Sequence, residues 1–312
     1  MTTPSADAAA ALLAAYSIEV LPRTADKVAD FRAILPPGTR VYLAHVPDAD
    51  HDEMVKTAKR IVREGFPVMP HVPARAFKSR QALEDLLARY AGEADIQEAL
   101  VIAGGQRKPA GPFAGSLDLL DTGLFERCGF RRLFFAGHPE GNRDIDRDGS
   151  GEALKAALAA RQAIADTGHF EVALVTQFSF DAAVVVRWIA YLRASAITLP
   201  VHVGIAGPAK LQTLIKYAAL CGVGASANIL RTRAGSVTQL IRPFDPAKLL
   251  DGFLNAAREN PASAPARIHF FPFGGVERCA LFANAWFTTA QANPASPDPE
   301  EQPTPAATVA TG

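Results

Sequence analysis

Glu19, His45, His71, Gln106, His138, Glu140 and Gln177 are the side chains of this sequence whose type and placement best suit chemistry. Each ends or follows a short apolar run, so each would be presented at the end of an element. Carboxylates and imidazoles transfer protons when their pKa lies near the working pH. A glutamine amide offers a donor and an acceptor to the edge of a heterocycle. Glu19 differs from the others because it stands inside its run, "YSIEVLPRT" at 16–24, where a buried strand would take an aliphatic residue. Burial there is expected to raise its pKa toward a range useful to a general acid or base. Taken singly, a histidine or glutamine at a strand end is an ordinary loop residue; recurrence at six strand ends is harder to explain that way.

The elements that must position these residues follow from hydrophobic periodicity. Eight β-rich apolar runs appear: "SIEVL" (17–21), "RVYLAHV" (40–46), "PVMPHV" (67–72), "EALVIAG" (98–104), "RRLFFAG" (131–137), "FEVALVTQ" (170–177), "PVHVGI" (200–205) and "RIHFFPF" (267–273). They alternate with segments of helical period such as "DEMVKTAKRIVREG", "SRQALEDLLARYAG", "DAAVVVRWIAYLRAS" and "GVERCALFANAWF", and each strand is expected to be followed by a helix. Eight β/α units read as an α/β protein of the (βα)8 TIM-barrel class, a fold of about 250 residues with its sites at the C-terminal strand ends. A doubly wound open sheet is the alternative, since strand order is not written in one sequence. The opening residues suggest a lead-in helix with Ser5 or Asp7 near its N-cap. One catalytic domain over 1–292 and a disordered Pro/Ala-rich tail over 293–312 complete the expected organisation.

The 312 residues are 49% apolar and 21% charged, ordinary for a protein with a large core. Lys plus Arg and Asp plus Glu balance at 32 each, which argues against nucleic acid or an anionic membrane as partner and leaves small molecules. Cys128, Cys221 and Cys279 are far apart, without a CxxC pair, so neither a disulfide framework nor a zinc site is expected. The same cysteine usage suits a cytoplasmic location. The apolar stretch near the start is too short to span a membrane and lacks a basic lead.

Several motifs mislead. "DIDRDGSGE" (144–152) resembles the start of a calcium loop, but its twelfth position is Lys155, where a bidentate Glu is needed. A polar loop leading into a helix is the better reading, and no metal site is expected. No phosphate-binding G-x-x-x-x-G-K-[ST] or strand-to-helix G-x-G-x-x-G occurs, nor G-x-S-x-G or HExxH. "VIAGG" and "GVGAS" place glycines where backbone amides can approach a ligand, though turns use glycine too.

In chain order, these strand ends resemble the methylenetetrahydrofolate reductase family in its short, catalytic-domain-only form. Ser17 to Arg23 is similar to that family's opening Ser-Phe-Glu-Phe followed by Pro and Arg. Pro70 and His71 resemble its Pro-His near the flavin, and His138, Pro139, Glu140 and Asn142 resemble its Tyr-Pro-x-x-His loop. Thr176 to Asp181, "TQFSFD", is close to Thr-Gln-Phe-Phe-Phe-Asp, while "GIAGP" (204–208) and "HFFPF" (269–273) resemble later segments.

The resemblance covers about residues 12–290 and implies a flavin-binding TIM barrel that interconverts 5,10-methylenetetrahydrofolate and 5-methyltetrahydrofolate. It implies Glu19 as the general acid at the folate nitrogen and Gln106, Gln177 and Phe180 as substrate contacts. His45, His71, Gly104, Gly105, His138, Glu140, Asn142 and Arg161 are implied around an FAD that takes hydride from NADH or NADPH. A homo-oligomer fits the same reading.

The sequence also departs from the family. "GGQ" (104–106) replaces Arg-Gly-Asp, so Gln106 can hydrogen-bond a pterin but supplies no negative charge. Gly274 and Gly275 replace Asn-Arg after the last strand. Only Arg161 remains of the basic residues expected for flavin phosphates, and phosphate held by fewer cations binds more weakly. Direct transfer from nicotinamide to folate without flavin, and a folate-binding barrel without catalysis, are the alternative readings.

Overall fold

The computed structural model describes residues 4–47, 49–220 and 243–292. Cys221, the "GVGAS" segment and the expected tail at 293–312 lie outside the described residues. Strands β1 (Tyr16–Val20), β2 (Arg40–Leu43), β3 (Val68–Pro73), β4 (Glu98–Ile102), β5 (Arg132–Gly137), β6 (Glu171–Ser179), β7 (Val201–Ala206) and β8 (Arg267–Phe271) pair in that order into a closed barrel. Every pairing is parallel, and β8 closes on β1 through Tyr16 with Ile268, Ser17 with His269 and Ile18 with Phe270. The chain is therefore a (βα)8 TIM barrel rather than an open sheet. The strands read as near-continuous apolar runs because both faces are covered, as parallel sheets require.

Helices α1 (Pro4–Ala14), α3 (His51–Arg63), α4 (Arg80–Ala94), α7 (Glu152–Asp166), α8 (Ala182–Ala194), α9 (Leu211–Leu220), α10 (Ala247–Glu259) and α11 (Val276–Ala292) form the outer layer. Three of these helices start at side-chain caps: Asp50 Oδ1 accepts from the Asp52 amide, Ser79 Oγ from Ala82 and Asp181 Oδ1 from Ala183. Helix α1 already runs from Pro4, so Ser5 and Asp7 fall within its first turns and not at its cap. Proline at the first helical position suits a donor that would be orphaned anyway.

Two crossovers lack the long helix expected from periodicity. After β1 the chain makes only α2 (Pro22–Ala25) and a 3-10 turn at Phe31–Ala33, and Pro36 and Pro37 then prevent any continuation. After β4 a glycine- and proline-rich loop precedes two short helices, α5 (Ser116–Leu120) and α6 (Leu124–Arg127). These two gaps leave the loops after β1 and β4 long.

Side chains fill the barrel in layers, as the period-2 alternation of strands dictates. At the N-terminal end, Arg40 grips Glu98 with two hydrogen bonds of 2.7 and 3.1 Å, and Arg132 bridges Glu98 at 2.7 Å to Glu171 at 2.5 Å. Above it Tyr42, Met69, Leu100, Phe134, Ala173 and Val175 form an apolar plug. Above the plug, toward the C-terminal strand ends, the interior turns polar and opens.

Candidate active site

The floor of this opening is built by residues that face inward one strand position beyond the plug. On β1, Ser17 and Glu19 point inward while Tyr16, Ile18 and Val20 face the helices. Glu19 Oε2 meets His71 Nε2 of β3 at 3.2 Å and His269 Nε2 of β8 at 3.8 Å. Behind it, His269 Nδ1 lies 3.0 Å from Ser17 Oγ, which fixes the imidazole from the far side. His269 is fully buried, and its ring packs 4.3 Å from that of Tyr42. Among the described residues neither Nε2 atom has an aligned hydrogen-bond partner, and the buried Tyr42 hydroxyl has none either. Buried polar atoms left this way are explained by water or by a ligand.

The electrostatics overturn one expectation. Burial does push the Glu19 carboxyl upward, but contacts from His269 and then His71 outweigh it and hold the pKa at about 2. Glu19 is thus a fixed carboxylate at neutral pH, not an acid with a raised pKa. His269 is moved below its ordinary value by burial, partly opposed by the Glu19 contact. Burial also takes His45 to about 4, helped by the neighbouring His51 and His71. His138 drops to about 4 through burial and then the charge of Arg161.

Above the floor lies a cavity of about 830 Å³, lined by Glu19, His45, His71, His138, Gln177 and His269 among others. One wall is aromatic: Tyr217 stacks on Phe273 at 4.3 Å and 17°, and Phe273 runs nearly parallel to Phe271 at 13°. Gln177 reaches the cavity because β6 bulges between Val175 and Phe178 against β7. The bulge is held by the Gly204 amide donating to Thr176 Oγ1 at 2.9 Å. A Cβ on Gly204 would stand 2.5 Å from the Thr176 carbonyl oxygen, so only glycine fits there.

The remaining predicted residues lie apart from the cavity lining. The Gln106 carbonyl accepts from Arg75 Nη1 at 2.9 Å, and its buried side-chain Oε1 has no partner among the described residues. Gly104 adopts a positive φ of 92°, with its missing Cβ only 3.0 Å from Pro73 Cβ, and Gly105 is exposed. Asn142 contacts His138 Nδ1 at 3.3 Å and otherwise caps its own loop, accepting from the Asp144 and Ile145 amides. Glu140 is half-buried in the same loop. Phe180 packs among Phe178 and Phe244. Arg161 lies buried over the Phe135 ring at 5.7 Å, in the layer between α7 and the barrel. The "DIDRDGSGE" loop uses Asp146 and Asp148 as acceptors for its own amides and runs into α7.

Of the residues expected around FAD, then, His45, His71 and His138 reach the cavity. Gly104, Gly105, Glu140, Asn142 and Arg161 are not among its lining residues.

His269, Ser17 and Tyr217 were not expected here. Alternation along "RIHFFPF" puts 267, 269 and 271 on one face, but only barrel closure brings that face against β1.

No family model matches the chain. Among solved structures it is similar to dihydropteroate synthase of Yersinia pestis with a pterine-sulfa conjugate, at 12% identity and a TM-score of 0.42, over 89% of this chain and 94% of that one. Dihydropteroate synthase of Thermus thermophilus gives 13% and 0.43, over 88% and 95%. A probable tagatose 6 phosphate kinase of Sinorhizobium meliloti gives 12% and 0.36, over 89% and 98%. At such scores the architecture rests on the strand pairing itself, and the site rests on its own geometry.

Proposed function

We propose that the chain is an oxidoreductase of the methylenetetrahydrofolate reductase type, passing hydride directly between a reduced nicotinamide and methylenetetrahydrofolate. The observation that carries this reading is the carboxylate between two imidazoles at the floor of an 830 Å³ cavity. Ligand cavities run from about 300 to 1,000 Å³, so this one suits two ring systems brought face to face. The aromatic wall of Tyr217, Phe271 and Phe273 gives a planar ring a surface to stack on.

The chemistry fits the charges. Opening the methylene bridge breaks the N10 to carbon bond, places a proton on N10 and leaves a 5-iminium cation. Hydride from the nicotinamide then reduces that carbon to methyl, giving 5-methyltetrahydrofolate and the oxidised nicotinamide. Glu19, ionised throughout, stabilises the cation. At about 4 Å and an effective dielectric near 20 this is worth about 4 kcal/mol, nearly a thousandfold in rate. The proton comes from an imidazole, with His71 in direct contact with the carboxylate. Gln177 orients the pterin edge through its amide.

The test is turnover of 5,10-methylenetetrahydrofolate with NADH or NADPH by protein whose visible spectrum shows no flavin. Nicotinamide oxidation with formation of 5-methyltetrahydrofolate by colourless protein is expected. A retained flavin band that bleaches during turnover would replace direct transfer with a flavin relay. No nicotinamide oxidation, with or without added FAD, would overturn the reading.

A further inference from the structure

The charged residues of the cavity are unevenly distributed. Arg23 and Lys27, from the segment after β1, and Arg278, from the first turn of α11 after β8, all line it. Because β1 and β8 are hydrogen-bonded neighbours, these three cations share one side of the mouth. Among the described residues, the opposite side, contributed by β4, β5 and β6, is lined by Ile102, Ala136, Gly137, His138, Val175 and Gln177 and carries no fixed charge. Apart from Glu19 at the floor, the carboxylate among the described lining residues is Glu277, so they give the mouth on the β1 and β8 side an excess of positive charge. Arg23, Lys27 and Arg278 make no ion pair among the described residues. Seven other arginines, Arg32, Arg40, Arg60, Arg75, Arg89, Arg127 and Arg132, each hold a carboxylate.

The geometry points to an anion subsite at this mouth, in which Arg23, Lys27 and Arg278 hold the negatively charged tail of a ligand whose ring lies on the cavity floor. This rests on the reading of the cavity as a substrate site and deepens it by naming what the substrate must carry. Two ligands of that reading have such a tail: a folate with its glutamate carboxylates, and a nicotinamide dinucleotide with its diphosphate. Arginine matches either by paired hydrogen bonds, and lysine adds a point charge. A tail fixed here also enforces orientation, since a molecule bound the other way round would put its anion against Glu19.

Isothermal titration of the full chain with tri-γ-glutamate and, separately, with inorganic pyrophosphate tests the subsite without any turnover. At least one is expected to bind at low salt and to weaken about tenfold or more when Arg23, Lys27 and Arg278 are all changed to Gln. Each single change, such as Arg278→Gln, is expected to weaken the same probe by a smaller factor, which keeps the test available should the triple variant not fold. Binding of tri-γ-glutamate alone assigns the subsite to the folate tail, and binding of pyrophosphate alone assigns it to the dinucleotide. Binding of neither, or binding unaffected by the substitutions, overturns the subsite. A wild-type protein that binds the anion but does not turn over methylenetetrahydrofolate would instead overturn the functional reading and leave the subsite standing.

Discussion

A carboxylate inside an apolar strand has an energetic cost that needs a compensating role. For Glu19 the compensation comes from two histidines, 52 and 250 residues away in sequence, that barrel closure brings within 3.2 and 3.8 Å. A residue whose pKa falls to about 2 keeps its charge throughout the working range. On the proposed reading, Glu19→Gln is expected to lower kcat for methylenetetrahydrofolate reduction by about 100- to 1,000-fold, with KM little changed, as loss of a charge felt mainly in the transition state requires. On the same reading His71→Gln is expected to lower kcat as well, since it removes the imidazole in contact with the carboxylate, and an unchanged kcat would take His71 out of the reaction. Arg161 was legible as a cation on a helix, while its burial over the Phe135 ring is a matter of tertiary packing that sequence does not show.

Among the elements, all eight strands were readable because a parallel sheet buried on both faces leaves apolar runs. The short crossovers after β1 and β4 were not, since apolar residues in a loop that packs on the barrel mimic helical period until proline and glycine are weighed. The barrel itself separates two tasks. Its C-terminal end carries the cavity and its N-terminal end carries the network of Arg40, Glu98, Arg132 and Glu171. Burial decides which members matter: the Glu98 side chain is 9% exposed and that of Glu171 is 60%. Removing a buried partner leaves an uncompensated charge at a cost of about 3–5 kcal/mol, whereas an exposed pair contributes about 1 kcal/mol or less. Urea unfolding should accordingly show Glu98→Ala several-fold more damaging than Glu171→Ala. Equal effects would mean that Glu98 is better hydrated than its position suggests.

At the scale of the molecule, the buried histidines make stability depend on pH. His45 and His138 titrate near 4 in the fold, and His202 and His269 are also lowered, chiefly by burial. In the unfolded chain all four titrate near about 6.5, so below that pH the unfolded state binds more protons. Their contribution is complete above pH 6.5 and is lost progressively as pH falls toward the folded values. Glu19 acts in the same direction lower down, stabilising above its unfolded value of about 4.3 and ceasing to do so as pH approaches 2. The free energy of unfolding from urea titrations should fall between pH 7 and 5 with a slope steeper than the roughly 1.4 kcal/mol per pH unit of one proton. A flat profile over that range would show that these histidines are not held neutral.

The pairing of β1 with β8 also imposes an order of events during synthesis. Glu19 is translated 250 residues before His269, so their meeting must await every strand in between. Until then β1 presents an unpaired edge and an unshielded carboxylate to whatever surrounds the growing chain. Contacts so distant in sequence form slowly. The floor of the cavity thus comes into being only when the ring of strands closes, and a ribosome-bound fragment lacking β8 could hold seven strands and still lack the Glu19 and His269 contact.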